Sequence, residues 1–269
     1  MLTLPDYHIH TRFSCDSRAS MEAVCRAALA RGLTEIAITD HVDFEPLDGG
    51  YGYFRPQAYR EELRRCRAAF AGRLTIRAGV ECGEAHRFRR EIADLLAADR
   101  YDVVLASLHW AGGRPAWEGA FFDGGLGLEE GVALYFDELA CLAAEADYDV
   151  LAHLDFVRRA AHLRYGVVAL DLHRHEERVR QVLRVVAARG KALEVNTATV
   201  RRGLGDPCPP PVVLRWFRQE GGQHVTLGSD AHQAASVGAD LDTALALVRQ
   251  AGFAGATRFA GRKALPPVG

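Results

Sequence analysis

The sequence predicts a single α/β domain spanning residues 1–269, a distorted (β/α)7 TIM-like barrel. Three observations carry this expectation. Short strand-like runs alternate seven times with helix-like runs, no Pro/Gly/Ser-rich linker breaks the alternation, and residues able to bind metal gather where the strand-like runs end. An open doubly wound sheet is the alternative reading of the same alternation.

The strand-like runs are Asp6–His10, Glu35–Asp40, Thr75–Cys82, Val103–His109, Val150–His153, Ala192–Asn196 and Val225–Asp230. The helix-like runs are Met21–Arg31, Pro56–Phe70, Phe88–Ala98, Glu129–Ala146, Leu170–Ala188, Pro211–Glu220 and Leu241–Gln250. Gly32, Gly190 and Gly221 stand where helices should end. Ser20 supplies half a capping box, because Ala23 stands where a reciprocal Glu would complete it.

Composition narrows the class. A chain of 269 residues buries about three quarters of the surface its unfolded form exposes. Apolar residues at 49% and charged residues at 25% are ordinary for a globular protein. A net charge of -2 gives no electrostatic reason to expect long nucleic acid or an acidic membrane as a partner. The positive charge is nearly all arginine; the lysines are Lys191 and Lys263. The six cysteines form no CxxC pair, which predicts a reduced, cytoplasmic protein. The opening Met-Leu-Thr-Leu-Pro lacks the basic and apolar segments of a signal peptide, and no run reaches the ~18 apolar residues of a membrane span. Composition leaves the oligomeric state open.

The chemistry sits at the strand ends. The first strand closes with His8 and His10, and residues i and i+2 of a strand point to one side, so both imidazoles can reach one ion. Later strands close with Asp40-His41, Glu81, His109, His153 and Asp230-Ala231-His232. Six of the eleven histidines thus fall where barrel enzymes keep their active sites. His, Asp and Glu are the ligand types of zinc, iron and manganese, and this set is too large for one tetrahedral ion. It predicts two or three divalent transition metals (Zn, Fe or Mn), an arrangement that suits phosphate ester hydrolysis. His173 and His175 have the spacing of His8 and His10 but lie in a helical run, where i and i+2 diverge by about 200°; they are expected on a solvated face. His86, His162 and His224 lack acidic company in the sequence.

Read together, the segments His8-Ile9-His10-Thr11, Thr39-Asp40-His41, Gly79-Val80-Glu81, Ser107-Leu108-His109, Ala152-His153-Leu154-Asp155 and Gly228-Ser229-Asp230-Ala231-His232 resemble the successive motifs of the PHP (polymerase and histidinol phosphatase) superfamily. Glu194-Val195-Asn196-Thr197 and the Val237-Gly238 step resemble its histidinol-phosphate phosphatase branch. The resemblance implies a trinuclear site. One metal would take His8, His10, Glu81 and Asp230; a second would share Glu81 and add His109 and His153; a third would take Asp16, His41 and His232.

The expected activity is hydrolysis of a small phosphomonoester, best matched by L-histidinol phosphate in histidine biosynthesis. A hydroxide bridging the metals would be the nucleophile, since bound water is acidified to a pKa of about 7, with Glu81, Asp230 and His153 as the central catalytic ligands. Arg158, Arg159, Arg201 and Arg202 follow ligand-bearing strands and could hold phosphate bidentately. Asn196 and Trp110 are candidate substrate contacts, Trp117 could stack on a flat heterocycle, and Glu118 or Asp123 could meet an amine. Asp40 and Asp155 could orient ligand imidazoles or cap helices. A nucleotide or other small phosphate ester is an alternative substrate, and a catalytically silent metal-binding scaffold is an alternative of another class. An amidohydrolase-type site would need a bridging lysine, which neither Lys191 nor Lys263 can supply from its place in the sequence.

Overall fold

The computed structural model describes residues 4–269. Seven parallel strands form the central sheet: β1 (Pro5–Asp6), β2 (Glu35–Ile38), β3 (Thr75–Gly83), β4 (Val103–Ser107), β5 (Val150–Leu151), β6 (Ala192–Asn196) and β7 (His224–Gly228). They pair in chain order, each parallel to the next. A further two-residue strand, His41–Val42, pairs with the end of β3.

The two edges of this sheet meet. Tyr7 N donates to Leu227 O at 2.8 Å, Asp230 N to His8 O at 2.8 Å and His10 N to Ala231 O at 2.9 Å. An open sheet would leave both edges unpaired, so these bonds exclude the doubly wound alternative and make a nearly closed barrel.

Two apolar layers follow from strand alternation. Ile36, Ile38, Val80, Val104, Ala106, Leu193 and Val195 face outward into the main core beneath the helices. Ala37, Val103, Leu105, Val150 and Ala192 form the barrel interior with Tyr7 and Phe259. The helices are α1 (Met21–Ala30), α2 (Pro56–Ala69), α3 (Arg89–Ala98), α4 (Leu128–Glu145), α5 (Arg158–Tyr165), α6 (Glu176–Ala188), α7 (Ala198–Arg201), α8 (Pro211–Gln219) and α9 (Leu241–Gln250). α6 shows why they dock: Val179, Val182, Leu183 and Val186 recur at helical spacing and are all buried. Ser20 caps α1 by accepting from Ala23 N at 3.2 Å.

Several boundaries differ from the sequence expectation. β1, β2, β4 and β5 stop two or more residues early, at Asp6, Ile38, Ser107 and Leu151, so most candidate ligand residues lie just past the paired ladder. The run Leu170–Ala188 divides into a 3-10 turn at Leu172–His175 and α6. His175 is buried and pairs with Glu129 at 2.8 Å, whereas His173 is exposed as expected. His86 does have acidic company, with Glu138 at 3.3 Å across a sequence gap that local reading cannot span.

The sequence reading also lacked a C-terminal hairpin of β8 (Ala256–Ala260) and β9 (Lys263–Val268). It stoppers the end of the barrel remote from the ligands. Phe259 inserts into the interior cluster, and its N–H donates to Tyr7 Oη at 2.8 Å while Tyr7 Oη donates to Glu35 at 2.5 Å. Arg262 ties the hairpin to Asp147 at 2.6 Å and Asp149 at 2.9 Å. Phe259→Ala should therefore cost about 3 kcal/mol, as loss of a buried ring does. Urea unfolding of the variant beside wild type measures it; a change below about 0.5 kcal/mol, typical of surface substitutions, would show that the stopper is dispensable.

Candidate metal centre

The nine proposed ligands come from segments far apart in the chain and meet at the C-terminal mouth of the barrel. Glu81, buried on β3, is the hub. Its Oε2 lies 3.1 Å from His8 Nε2, 3.4 Å from His10 Nε2 and 3.0 Å from His41 Nδ1. Its Oε1 lies 2.8 Å from His153 Nε2 and 3.4 Å from His109 Nε2, and also accepts from Ser107 Oγ. Asp230 Oδ1 is 3.3 Å from His10 Nε2 and 3.9 Å from His8 Nε2. Asp16 Oδ2 reaches His232 Nε2 at 2.9 Å and His41 Nε2 at 3.7 Å.

This geometry fits metal ions. Among the described residues, His8 Nε2, His10 Nε2, His41 Nδ1 and Glu81 Oε2 are buried without a hydrogen-bond partner, and all four point into one small volume. Unpartnered buried polar atoms are costly unless something occupies the space between them. Compact ligand groups are His8/His10/Asp230, His8/Glu81/His153, His41/Glu81/His109 and His10/His41/His232. The first agrees with the partition that the PHP resemblance implies. The others cut across it, because Glu81 sits between His8 at 3.1 Å and His153 at 2.8 Å, and because His41 lies closer to Glu81 at 3.0 Å than to Asp16 at 3.7 Å.

Hydrogen bonds from behind set the imidazole orientations. His8 Nδ1 lies 2.6 Å from Glu194 Oε1, which directs Nε2 inward. His10 Nδ1 lies 3.0 Å from Ser14 Oγ, and that hydroxyl donates to Asp40 at 2.8 Å. Asp40 thus acts through Ser14 rather than directly on an imidazole. Asp155 faces Arg158 at 3.2 Å instead of a ligand.

The cluster floors a cavity of about 480 Å³. Arg159, Arg202, Phe156 and Trp117 line it, together with Asp43 and Asp48.

A family model described as the PHP domain matches residues 6–198. The chain belongs to the PHP domain family. It is 32% identical over 264 residues to the histidinol-phosphatase of Lactococcus lactis subsp. lactis (strain IL1403), covering 96% of this chain and 95% of that protein. It is 29% identical to a probable histidinol-phosphatase of Deinococcus radiodurans, covering 94% and 95% of the two chains. Its structure matches the crystal structure of the Lactococcus lactis histidinol phosphate phosphatase complexed with Zn, L-histidinol and phosphate, with a TM-score of 0.88, 28% identity, and 99% and 100% of the chains covered. A histidinol phosphatase structure described as putative, from Listeria monocytogenes, shares the fold at a TM-score of 0.74 and 19% identity, covering 89% and 99%.

Within this PHP barrel, several residues expected at the substrate are turned elsewhere. Arg158 is buried and donates to Asp206 O at 3.1 Å and Pro207 O at 3.2 Å. Its neighbour Arg159 reaches the cavity, because successive helical residues turn by about 100°. The same divergence separates Arg201, which donates to Thr197 Oγ1 at 3.2 Å and to Ser229 O, from Arg202 on the cavity. Asn196 is buried, and its Nδ2 donates to Glu194 at 3.2 Å and Asp230 at 3.3 Å, so it braces a ligand. Trp110 is buried, donates to Asp48 at 2.8 Å and packs edge-on against Trp117, which takes the cavity position. Asp123 faces Arg164 at 3.7 Å, and Glu118 is exposed outside the cavity lining. The cavity acids outside the proposed ligand set are Asp43 and Asp48, in the loop after His41, which the sequence reading did not single out.

The charges of the PHP cluster are strongly coupled. Burial alone would raise Glu81, but the imidazoles of His8 and His41 and bonds from His109 and His153 hold it well below the carboxylate range. Burial would depress His8, but Glu194, Glu81 and Asp230 raise it well above an ordinary histidine. Burial likewise opposes His109, which Asp43 and Glu81 push up to about 10. His41 is raised against burial by Glu81 and Asp16. His10 goes the other way, lowered to about 3 by burial and by His232 and His41. Without metal, His8, His41 and His109 therefore carry protons at neutral pH, and an entering cation must displace them. Zinc affinity should rise with pH through the neutral range, and zinc binding should release more than one proton per chain. Calorimetric titrations of metal-free protein in two buffers of different ionisation enthalpy measure that number; identical heats in both buffers would contradict the assignment.

Proposed function

We propose that this chain is a metal-dependent phosphomonoesterase that hydrolyses L-histidinol phosphate to L-histidinol and phosphate, a step of histidine biosynthesis, and that it works in the cytoplasm. One observation carries this reading: the cluster around Glu81 floors a cavity bearing both arginines and carboxylates, in a chain that matches from end to end a relative described with Zn, L-histidinol and phosphate. Two or three divalent ions (Zn, Fe or Mn), when bound, supply an acidified water and offset phosphoryl charge. His8, His10, Glu81 and Asp230 would hold one, Glu81, His109 and His153 a second, and Asp16, His41 and His232 a third. Arg159 and Arg202 would bind the phosphoryl oxygens bidentately. Trp117 would offer a ring face to the imidazole of the substrate, and Asp43 and Asp48 would meet its ammonium group. The cavity is sized for a small monoester rather than for long nucleic acid.

Two predictions test this function. Glu81→Gln should lower activity by more than Asp16→Asn, since Glu81 touches five imidazoles and Asp16 two. Turnover and metal content measured together on each variant decide it, and equal losses would argue against Glu81 as the bridge. Catalytic efficiency should also be highest for histidinol phosphate among histidinol phosphate, mononucleotides and p-nitrophenyl phosphate under one metal condition, and Arg159→Ala or Arg202→Ala should lower it for all three. A nucleotide preferred by tenfold, about 1.4 kcal/mol in transition-state stabilisation, would replace the substrate assignment and leave the metallophosphatase standing.

A further inference from the structure

Glu194 lies on β6 and is buried, yet it belongs to none of the compact ligand groups. Its two oxygens serve two different ligands. Oε1 sits 2.6 Å from His8 Nδ1, and Oε2 accepts from His153 N at 2.7 Å. Oε2 also accepts from Asn196 Nδ2 at 3.2 Å, and the same amide nitrogen donates to Asp230 at 3.3 Å. One carboxylate thus contacts His8 and His153 directly and Asp230 through one intermediate.

The barrel makes room for this group at a specific place. A Cβ on Gly228 would stand 2.1 Å from Glu194 Oε1 and 2.6 Å from His8 Cβ. No side chain fits there, so the backbone of β7 can approach only because residue 228 is glycine.

We propose that Glu194 is a positioning residue that makes the two inner ion sites a single unit, fixing His8 with its proton on Nδ1 while anchoring the strand end that presents His153. The inference rests on reading the cluster as a metal centre. The chemistry of the carboxylate is what matters. Both contacts need an acceptor, from His8 Nδ1–H and from His153 N–H, and a carboxylate has an acceptor at each end. A carboxamide has one acceptor end and one donor end. In one orientation Glu194→Gln would set its NH2 against His153 N–H and push that ligand away. In the other it would set its NH2 against His8 Nδ1 and drive the His8 proton onto Nε2, the atom that must face the ion. Either way the variant keeps one inner site correct only at the expense of the other. Glu194→Asp keeps the charge and both acceptors but is one methylene too short to reach both partners.

Zinc titration of the full chain against a competing chelator tests this, with ¹⁵N NMR of histidine-labelled, zinc-loaded protein to report which His8 nitrogen carries the proton. E194Q should bind the inner ions about 10- to 100-fold more weakly than wild type, and the two should dissociate at separate chelator concentrations rather than together. Thermal unfolding of the metal-free proteins isolates any purely structural contribution. A lowered metal-free midpoint with unchanged zinc affinity would make Glu194 a packing residue and overturn the proposal, as would unchanged zinc binding alone. If E194Q does not fold, E194D decides: a tenfold or greater loss of zinc affinity supports the coupling, and wild-type affinity overturns it. A wild-type chain that binds no zinc, iron or manganese would instead defeat the metal reading, and this proposal with it.

Discussion

Glu81 is a fully buried carboxylate whose two oxygens face five imidazoles, at distances from 2.8 to 3.4 Å. Desolvating such a group costs several kcal/mol unless cations and hydrogen bonds compensate it. The compensation comes from four neighbouring strand ends: His8 and His10 after β1, His41 after β2, His109 after β4 and His153 after β5. Protons can supply the positive charge, and so can metal ions, but the imidazoles can coordinate ions only when their protons leave. The apolar layers, the closure of the sheet and the hydrogen bonds behind the ligands all hold this one contact set together.

Closure is the step on which the set most directly depends. His8 and Asp230 are 222 residues apart in the numbering of the chain and become neighbours because β1 and β7 meet, with Asp230 N donating to His8 O at 2.8 Å. Asp230 occupies a left-handed backbone conformation, φ 51°, which an aspartate adopts at a cost of about 1 kcal/mol. Arg201 grips the carbonyl just before it, at Ser229, and Asn196 grips its carboxylate at 3.3 Å. The two residues that sequence reasoning placed against substrate instead hold a strained candidate ligand in place. At the other end of the barrel, Phe259 fills the interior behind this assembly.

What was legible in the sequence was whatever strand periodicity expresses. His8 and His10 share a side because i and i+2 do, and the seven βα units with their strand-end ligands gave both the barrel and its mouth. Residues on short or irregular elements were not legible. Arg158 and Arg159, like Arg201 and Arg202, are adjacent in sequence, and only the start of α5 and the end of α7 decide which of each pair turns toward the cavity. Of Trp110 and Trp117, both expected at the substrate, only Trp117 reaches the cavity, because the chain doubles back between Trp110–Ala111 and Arg114–Pro115. Asp43 and Asp48 lie in a loop with no periodic pattern to mark it. The C-terminal hairpin was missed because its strands cover the barrel end rather than extending its sheet.

The charge layout of the mouth bears on selectivity. Glu81, Asp230 and Asp16 bring three carboxylates to the cluster, with Glu194 behind His8 as a fourth; two divalent ions would balance them and three would leave positive charge in excess. A site loaded with three ions would attract phosphate, and Arg159 and Arg202 on the cavity would then serve chiefly to orient it. That leaves Asp43 and Asp48 without an obvious task in phosphate binding, where negative charge is a disadvantage. Asp43 is buried; its Oδ1 faces His109 Nδ1 at 3.9 Å and has no hydrogen-bond partner among the described residues. A Cβ on Gly83 or Gly50 would stand 2.5 or 2.7 Å from its carboxylate, so two glycines keep that space open. Acids beside a phosphate site make sense when the rest of the substrate is cationic: they would reward an ammonium or imidazolium group and penalise an anionic tail. On the proposed function, the ions and arginines would define the reaction, and the acidic part of the cavity would define which monoester is admitted.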